Sequence, residues 1–480
     1  RAYASEVVEP NIAYPKEHPL TYQQAITLLH IPGTMQDANS ARERLALEEA
    51  TTLQEKVQIR RKKFMESMKA LPCAHDNRFI KPFLESLPFQ LTKAQVRVLA
   101  EFREDLSVQH PMRRLLQGDV GSGKTVIAVM AALMVLESGY DASMMAPTTL
   151  LAEQHYRTIS QWLAPYPIQV ALHTGNTKTP TKSELPLFTI GTHALIQSNE
   201  TSKKLGMVII DEQHKFGVTQ RDKLLRRGAH PHLLVMTATP IPRTMGLTLY
   251  GDLDISTLEE MPSGRGSLKT YLRTANSRPK VLSFLKKQIG TGRQAYFVFP
   301  RVEGKEQSEI TAVTKEFSVL SEYFAPFIVA MVHGKMKSEE TDRIMRSFSE
   351  GETHILLATT VIEVGVDVPN ATVMVIENAE QFGLAQLHQI RGRIGRGSHA
   401  SQCILIGDET KQEAWERLKV LEQTRDGFLI AEADFKVRGP GELAGKQQSG
   451  LPRWRYLDLC KDRPLLESAR AEVRRTLGLG

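Results

Sequence analysis

Arg113-Arg114-Leu115-Leu116-Gln117-Gly118-Asp119-Val120-Gly121-Ser122-Gly123-Lys124-Thr125, followed by the apolar run 126–136, decides how this chain folds. A short strand enters a loop fitting G-x-x-x-x-G-K-[ST] and a long apolar helix leaves it, the context the pattern requires. Gly118, Gly121 and Gly123 can take backbone angles closed to other residues. The N–H groups around Asp119, Val120 and Ser122 can therefore turn toward one phosphate chain. The helix from Thr125 adds unpaired N–H groups and the positive end of its dipole. Lys124 is placed to reach the β- and γ-phosphates, and Thr125 to offer a hydroxyl to Mg²⁺. A plain glycine-rich turn is the alternative reading. The full pattern in this context favours a nucleoside triphosphate site.

At 480 residues the chain is too long for one core and calls for two or three domains. Hydrophobic residues at 41% and charged residues at 24% are ordinary for a globular protein, which excludes a disordered or membrane-spanning composition. No apolar run reaches the ~18 residues that cross a bilayer, so no membrane partner is expected. Cys73, Cys403 and Cys460 are far apart, which suggests neither a disulfide framework nor a zinc site and fits a reducing cytoplasm. A net charge of +7 and a pI near 9.1 permit a polyanionic partner without establishing one. The chain begins at Arg1 with no secretory segment, as a fragment lacking its natural start would.

Residues 1–87 start polar and proline-dotted. Residues 41–70, rich in Ala, Leu, Glu, Lys and Arg and free of Pro and Gly, predict one long helix. Its run Arg60-Arg61-Lys62-Lys63 reads as a solvated helix face, or alternatively as a phosphate contact. Over 88–262 strands and helices alternate, with short apolar runs at 142–146, 187–191, 207–210 and 233–236 and a helix over 150–163. That is a buried parallel sheet with crossover helices. Pro262-Ser263-Gly264-Arg265-Gly266 reads as a linker. A second alternating block over 263–410 has strands at 295–299, 328–332, 355–358, 373–376 and 403–406 but no phosphate loop, so the nucleotide is expected between the two sheets. From 411 to 480 the chain turns helical, then irregular, with Arg438-Gly439-Pro440-Gly441 as a sharp break.

Met207-Val208-Ile209-Ile210-Asp211-Glu212-Gln213-His214 is an apolar strand delivering two carboxylates at its end. Asp211 would hold Mg²⁺ and Glu212 would orient and deprotonate the attacking water. Acidic pairs of this kind also cap helices; the preceding phosphate loop and strand favour the catalytic role.

Asp211-Glu212-Gln213-His214, Thr237-Ala238-Thr239-Pro240 and Gln389-Ile390-Arg391-Gly392-Arg393-Ile394-Gly395-Arg396 together resemble the superfamily-two helicase motor. Their order and spacing agree over about 300 residues. The resemblance implies an α/β fold of two tandem RecA-like parallel-sheet lobes, with a helical N-terminal segment and a C-terminal helical-hairpin and loop region. It implies ATP and Mg²⁺ as cofactors. By the same resemblance Arg393 and Arg396 reach across to the γ-phosphate, Gln95 reads adenine, and Gly365 and Asp367 line the cleft. Phe89 is placed to stack on the base, a core role being the alternative. Pro147 and Thr148, Gly191, Thr192 and His193, and Thr359 and Thr360 match strand-contacting motifs, where small hydroxyl residues suit phosphate oxygens. Each could equally be a helix N-cap. Arg391 is expected on DNA, and Thr237, Thr239 and Gln389 in coupling the lobes.

The match narrows to the RecG family of bacterial branch-migration helicases through residues 211–218, 236–244 and 358–370. It extends over Asp426-Gly427-Phe428, Arg438-Gly439-Pro440-Gly441-Glu442-Leu443 and Gln448-Ser449-Gly450. The last stretch resembles that family's translocation motif, which implies Arg438 and Gln448 as transmission residues. Transcription-repair coupling translocases share this tail, and His214 favours the RecG type. Three departures stand out: the residues given ahead of the motor show no strand-splitting wedge, which the missing natural start would have to supply, the stretch 175–191 is short, and Lys215 replaces an arginine. The resemblance implies an enzyme acting on forked and four-way DNA with duplex arms, as a monomer, with single-stranded DNA-binding protein as a further partner, near the bacterial nucleoid. The alternatives are a polymerase-displacing translocase, an RNA helicase and an inactive junction-binding protein.

Overall fold

The computed structural model describes residues 19–71, 73, 76–180, 184–197, 204–212, 230–239, 253–262, 266–300, 306–359, 367–443 and 454–479. For residues 306–312, 338 and 438–443 it describes the main chain alone. The first sheet contains β1 (Arg113–Gly118), β2 (Asp141–Met145), β3 (Gln169–His173), β4 (Leu187–Gly191), β5 (Leu205–Ile210), β6 (His232–Thr237) and β7 (Asp254–Leu258). Their order is β3-β4-β2-β5-β6-β1-β7, and every neighbouring pair is parallel. Helices α3 (Ile80–Ser86), α4 (Lys93–Ser107), α5 (Lys124–Leu136), α6 (Thr149–Leu163) and α7 (Ala194–Gln197) accompany it. β5 and β6 are buried at every position, and α5 is buried almost all round. That is why these segments read as unbroken apolar runs rather than alternating ones. Because β5, β6 and β1 are adjacent and parallel, the residues that follow each of them emerge at one edge of the sheet, where α/β proteins bind ligands.

The second sheet contains β8 (Leu268–Thr274), β9 (Gln294–Val298), β10 (Val329–Val332), β11 (Ile355–Ala358), β12 (Ala371–Ile376) and β13 (Ser401–Gly407). Its order is β10-β11-β9-β12-β13-β8, again wholly parallel. Side chains alternate between two cores: Tyr296, Met374 and Phe348 pack on one face, Phe297, Val375 and Phe324 on the other. The helices α8 (Arg278–Gly290), α9 (Glu306–Phe324), α10 (Ser338–Ser349) and α11 (Leu384–Arg391) belong to this lobe.

Three strands lie outside the sequence expectation. β3 and β8 are sheet edges, and β7 is the edge beyond β1. Asp254-Ile255-Ser256-Thr257-Leu258 and Leu268-Lys269-Thr270-Tyr271-Leu272-Arg273-Thr274 are partly exposed and polar, so they lack the apolar-run signal. A second correction concerns the tail. After α12 (Gln412–Gln423), helix α13 (Gly427–Leu443) continues through Arg438-Gly439-Pro440-Gly441 instead of breaking there. Pro440 falls in the last turn, where it removes a terminal ladder bond without splitting the helix.

Helix α2 (Met35–Ser67) has 33 residues and spans about 50 Å. A capping box starts it: Thr34 N–H donates to Asp37 Oδ2 at 2.8 Å, and Asp37 N–H to Thr34 Oγ1 at 3.1 Å. Its first half packs with α1 (Tyr22–His30) through Ala41 and Leu45, and with Phe435 of α13 and Leu466 of α14 (Arg463–Leu477) through Leu47 and Ala50. Its far end is tied to the first lobe. Arg61 forks onto Asp254 of β7, Nη1 donating to Oδ1 at 2.9 Å and Nη2 to Oδ2. Arg470 and Arg474 of α14 stand 4.0 Å from the same carboxylate. Lys62 donates to the Leu477 carbonyl at 2.9 Å. Two members of the basic run are thus structural tethers, while Arg60 and Lys63 are exposed.

Burial alone would push the Asp254 carboxyl up; the Arg61 bond and charge, helped by Arg114 and Arg474, hold it below the usual range. A depressed carboxyl contributes stability that is complete above its unfolded value of 3.8 and lost as pH falls through the lower folded value. Arg61→Ala is expected to lower unfolding free energy at pH 7 by about 1–3 kcal/mol. That is below the roughly 3–5 of a fully buried pair, because two other arginines remain. Denaturant titrations should show the gap shrinking below pH 3.8; an unchanged gap would count against the pairing.

Candidate active site

The phosphate loop leaves β1 at Gly118, where an added Cβ would sit 2.9 Å from the Leu258 side chain. Gly121 and Gly123 have φ of 78° and 86°, in the left-handed region. A Cβ on Gly123 would also strike Gln95 Nε2 at 2.3 Å. Lys124 folds back on its own loop, Nζ donating to the Gly118 and Asp119 carbonyls at 2.8 Å each. Burial lowers its pKa against the charges of Glu212, Asp211 and Asp119. Ser122 Oγ is fully buried with no hydrogen-bond partner among the described residues. This cradle, with an unmatched hydroxyl and a lysine parked on carbonyls, fits a phosphate chain.

Asp211 follows β5. Its Oδ2 lies 2.9 Å from His155 Nε2 on α6, and its Oδ1 accepts from Glu212 N–H at 3.0 Å. Burial would raise this carboxyl; the His155 bond and charge hold it low. Glu212 has φ of 51°, a strained backbone for a side-chain-bearing residue. Its Oε2 accepts from Ala238 N–H at 3.4 Å, so the end of β6 aims it. Burial first, and the Asp211 charge second, push its pKa up.

The second lobe closes the site. Arg393 and Arg396 line one cavity of about 320 Å³ with Lys124, Thr125, Asp211 and Glu212. Burial, then Arg396, lowers the Arg393 pKa to about 10. Arg396 Nε donates to the Gly392 carbonyl at 3.1 Å, and its Nη1 lies 3.6 Å from Asp367 Oδ1. Asp367 N–H reaches Gln154 on α6 at 3.4 Å. Gln389 Nε2 donates to Thr239 Oγ1 at 3.2 Å, and Thr239 Oγ1 lies 3.0 Å from Thr237 Oγ1. His388 Nε2 lies 2.6 Å from Asp119 Oδ1. A Cβ on Gly392 would lie 2.7 Å from the Val120 side chain. Asp211 and Thr125 offer oxygen donors on one wall, which fits Mg²⁺ held with substrate oxygens and water.

Other expected residues fall elsewhere. Gln95 presents no free carboxamide: Oε1 accepts from Thr92 N–H at 2.8 Å and Nε2 donates to the Ser122 carbonyl at 2.9 Å. It braces the loop in this state rather than facing a base. Phe89, 40% exposed, lines a separate apolar groove with Leu84, Leu99 and Met130, away from the phosphate cavity. Arg391 is corrected outright. Its guanidinium is buried and donates to the Leu421 and Thr424 carbonyls at 2.7 and 3.0 Å, so it joins α11 to the hairpin and cannot touch DNA from there. The Thr148 hydroxyl accepts from Leu151 N–H at 3.3 Å as the α6 cap, beside half-buried Pro147. A Cβ on Gly191 would lie 2.0 Å from the His173 carbonyl oxygen. Thr192 and Thr359 are buried, whereas His193 is exposed. Thr360, Gly365 and Gln448 lie outside the described residues, as does the Arg438 side chain. His155 and His388 escaped the sequence reading. His155 is 56 residues from its partner and carries no local signal, whereas His388 directly precedes the Gln389 motif.

Comparison with known proteins follows the same division. Residues 92–247 match the DEAD/DEAH box helicase model, and 280–398 the helicase conserved C-terminal domain. Residues 424–478 match the C-terminal part of domain 3 of the ATP-dependent DNA helicase RecG. The chain is 47% identical to the ATP-dependent DNA helicase RecG of Synechocystis sp., covering 93% of this chain and 55% of that protein. It is 43% identical to the RecG of Bacillus subtilis, covering 94% of this chain and 68% of that one. A solved structure of RecG bound to a three-way DNA junction superposes with a TM-score of 0.77 at 42% identity, covering 95% of this chain and 62% of that chain. The chain thus spans little more than half the length of the first of these relatives. Between the two helicase families that share the tail motif, the matches decide: this chain belongs to the ATP-dependent DNA helicase RecG family.

Proposed function

We propose that this chain is the motor of an ATP-dependent DNA helicase and translocase that remodels branched DNA, including stalled forks and Holliday junctions. The observation that supports it best is the shared cavity, in which Arg393 and Arg396 of one lobe face Lys124 and Glu212 of the other. Lys124 exchanges two loop carbonyls for the β- and γ-phosphate oxygens. Glu212, aimed by Ala238 N–H, takes a proton from the attacking water, and its raised basicity suits that task. Asp211 and Thr125 would hold Mg²⁺, which supplies charge neutralisation on the phosphates. Arg393 and Arg396 meet the charge that develops on the transferred group only when the lobes are together, so hydrolysis is tied to closure. Arg438 and Gln448 are the residues proposed to pass that movement to duplex DNA. The junction in the related RecG complex supports DNA as partner; a single-stranded DNA-binding protein and a monomeric state belong to the same proposal. No helix among the described residues is long and apolar enough to cross a membrane.

Steady-state ATP turnover should be measured with no DNA and with single-stranded, duplex and four-way DNA. The expected result is stimulation greatest with the four-way substrate, and turnover down by roughly 10²–10³-fold or more in Lys124→Ala. Turnover indifferent to DNA, or near-normal in Lys124→Ala, would overturn the reading. Stimulation by RNA alone would replace it with the RNA alternative.

A further inference from the structure

Helix α11 carries His388 and Gln389, and Arg393 and Arg396 follow within five residues of its end. It is eight residues long, about 12 Å, and its N-cap, Gly383, supplies no side-chain cap. Its first N–H groups would be orphans. A carboxylate from another element meets them. Asp434 of α13 accepts from Leu384 N–H through Oδ1 at 3.0 Å and lies 3.4 Å from Ala385 N through Oδ2. Asp434 is 1% exposed, so it is a buried charge placed against the positive end of the helix. At the other end of α11, Arg391 donates to the Leu421 and Thr424 carbonyls, where α12 turns into α13. The same arginine reaches His388 Nδ1 at 3.0 Å, whose Nε2 meets Asp119 of the phosphate loop. The hairpin therefore grips α11 at both ends, through residues 50 and 30 positions away in sequence. Both ends of α11 are thus fastened to the hairpin by hydrogen bonds.

We infer that Asp434 is a positioning residue for ATP hydrolysis: its carboxylate links the position of the hairpin to the placement of Arg393 and Arg396 in the cavity. This rests on the function proposed above, in which DNA engages the hairpin. Asp434 touches neither nucleotide nor DNA. It acts through α11, whose rotation or sliding by about an ångström would carry both arginines out of reach, and displacements of that size cost up to about 10²-fold in rate.

A helix cap that merely stabilises α11 can be supplied locally, and this separates the two roles. Gly383 has φ −74° and ψ 151°, a conformation any residue adopts and one suited to an N-cap serine. In the whole chain, Asp434→Ala, Asp434→Asn and the double variant Gly383→Ser with Asp434→Ala would be compared for thermal midpoint, KM for ATP, and the ratio of four-way-DNA-stimulated to unstimulated kcat. Asp434→Ala should lower that ratio by about 10- to 10²-fold with KM changed little. Asp434→Asn, which keeps one acceptor oxygen and loses the charge, should fold and fall in between. The double variant should recover the thermal midpoint without recovering the ratio. A double variant whose ratio returns to the unsubstituted level would overturn the inference, since a local cap would then suffice. So would full stimulation in Asp434→Asn. Absent stimulation in the unsubstituted chain would overturn the proposed function and this inference together, a failure visible without any variant.

Discussion

Arg393→Ala is expected to lower single-turnover ATP hydrolysis by roughly 10³-fold, with ATP affinity changed by only a few fold. A guanidinium delivered to a phosphoryl transition state is worth about 10³–10⁵ in rate, and the lower end applies because Arg396 remains. Affinity should survive because the phosphate cradle, Lys124 and Asp211 all belong to the first lobe. Arg393 sits fully buried, where burial and Arg396 bring its pKa to about 10 against the opposing charges of Glu212 and Asp211. Arg393→Lys should not rescue the rate, because an ammonium lacks the planar fork. Rapid-quench hydrolysis beside fluorescent-nucleotide titration would read both quantities. A loss below tenfold would remove Arg393 from the chemistry.

Glu212→Gln should reduce turnover by about 10²–10⁴-fold while preserving shape and ATP binding, since the amide cannot take the proton of the attacking water. The pH profile gives a second reading of the same residue. Burial and the neighbouring Asp211 charge raise the Glu212 carboxyl above its ordinary value of 4.5. The active form is the deprotonated one, so turnover should fall on the acidic side at a pH above 4.5, sooner than an exposed glutamate would allow. The residual rate of Glu212→Gln should show no such acidic limb. An identical limb in both proteins would assign the titration to another group.

The central strands β5, β6, β9, β11 and β12 were legible because burial on both faces leaves an unbroken apolar signature. The edges β3, β7 and β8 were not, because partly buried or exposed polar residues such as Gln169, Asp254, Thr257 and Lys269 interrupt it. Local chemistry was equally legible: the loop 118–125 and the pair Asp211 and Glu212 carry their signal within a few residues. Long-range pairings were opaque. Nothing near Arg391 announces that its guanidinium ends on carbonyls 30 residues later, and nothing near Asp434 announces Leu384 N–H. Gln95 shows a different limit. One carboxamide serves a capping box and a neighbouring loop at once, accepting from Thr92 N–H and donating to the Ser122 carbonyl, and only the first of these partners is marked by a local pattern.

The long helix α2 reaches from the Phe435 layer at one end to Asp254 at the other, while α11 fastens the same hairpin to the opposite lobe. The hairpin is thus harnessed to both jaws of the cleft. If the jaws part by a few ångströms, a body anchored to each of them cannot simply travel with either; it must swivel, or one anchor must yield. α2 is a continuous helix over 33 residues and does not stretch, so a separation of the jaws would reach the hairpin through a rigid rod rather than be absorbed along the way.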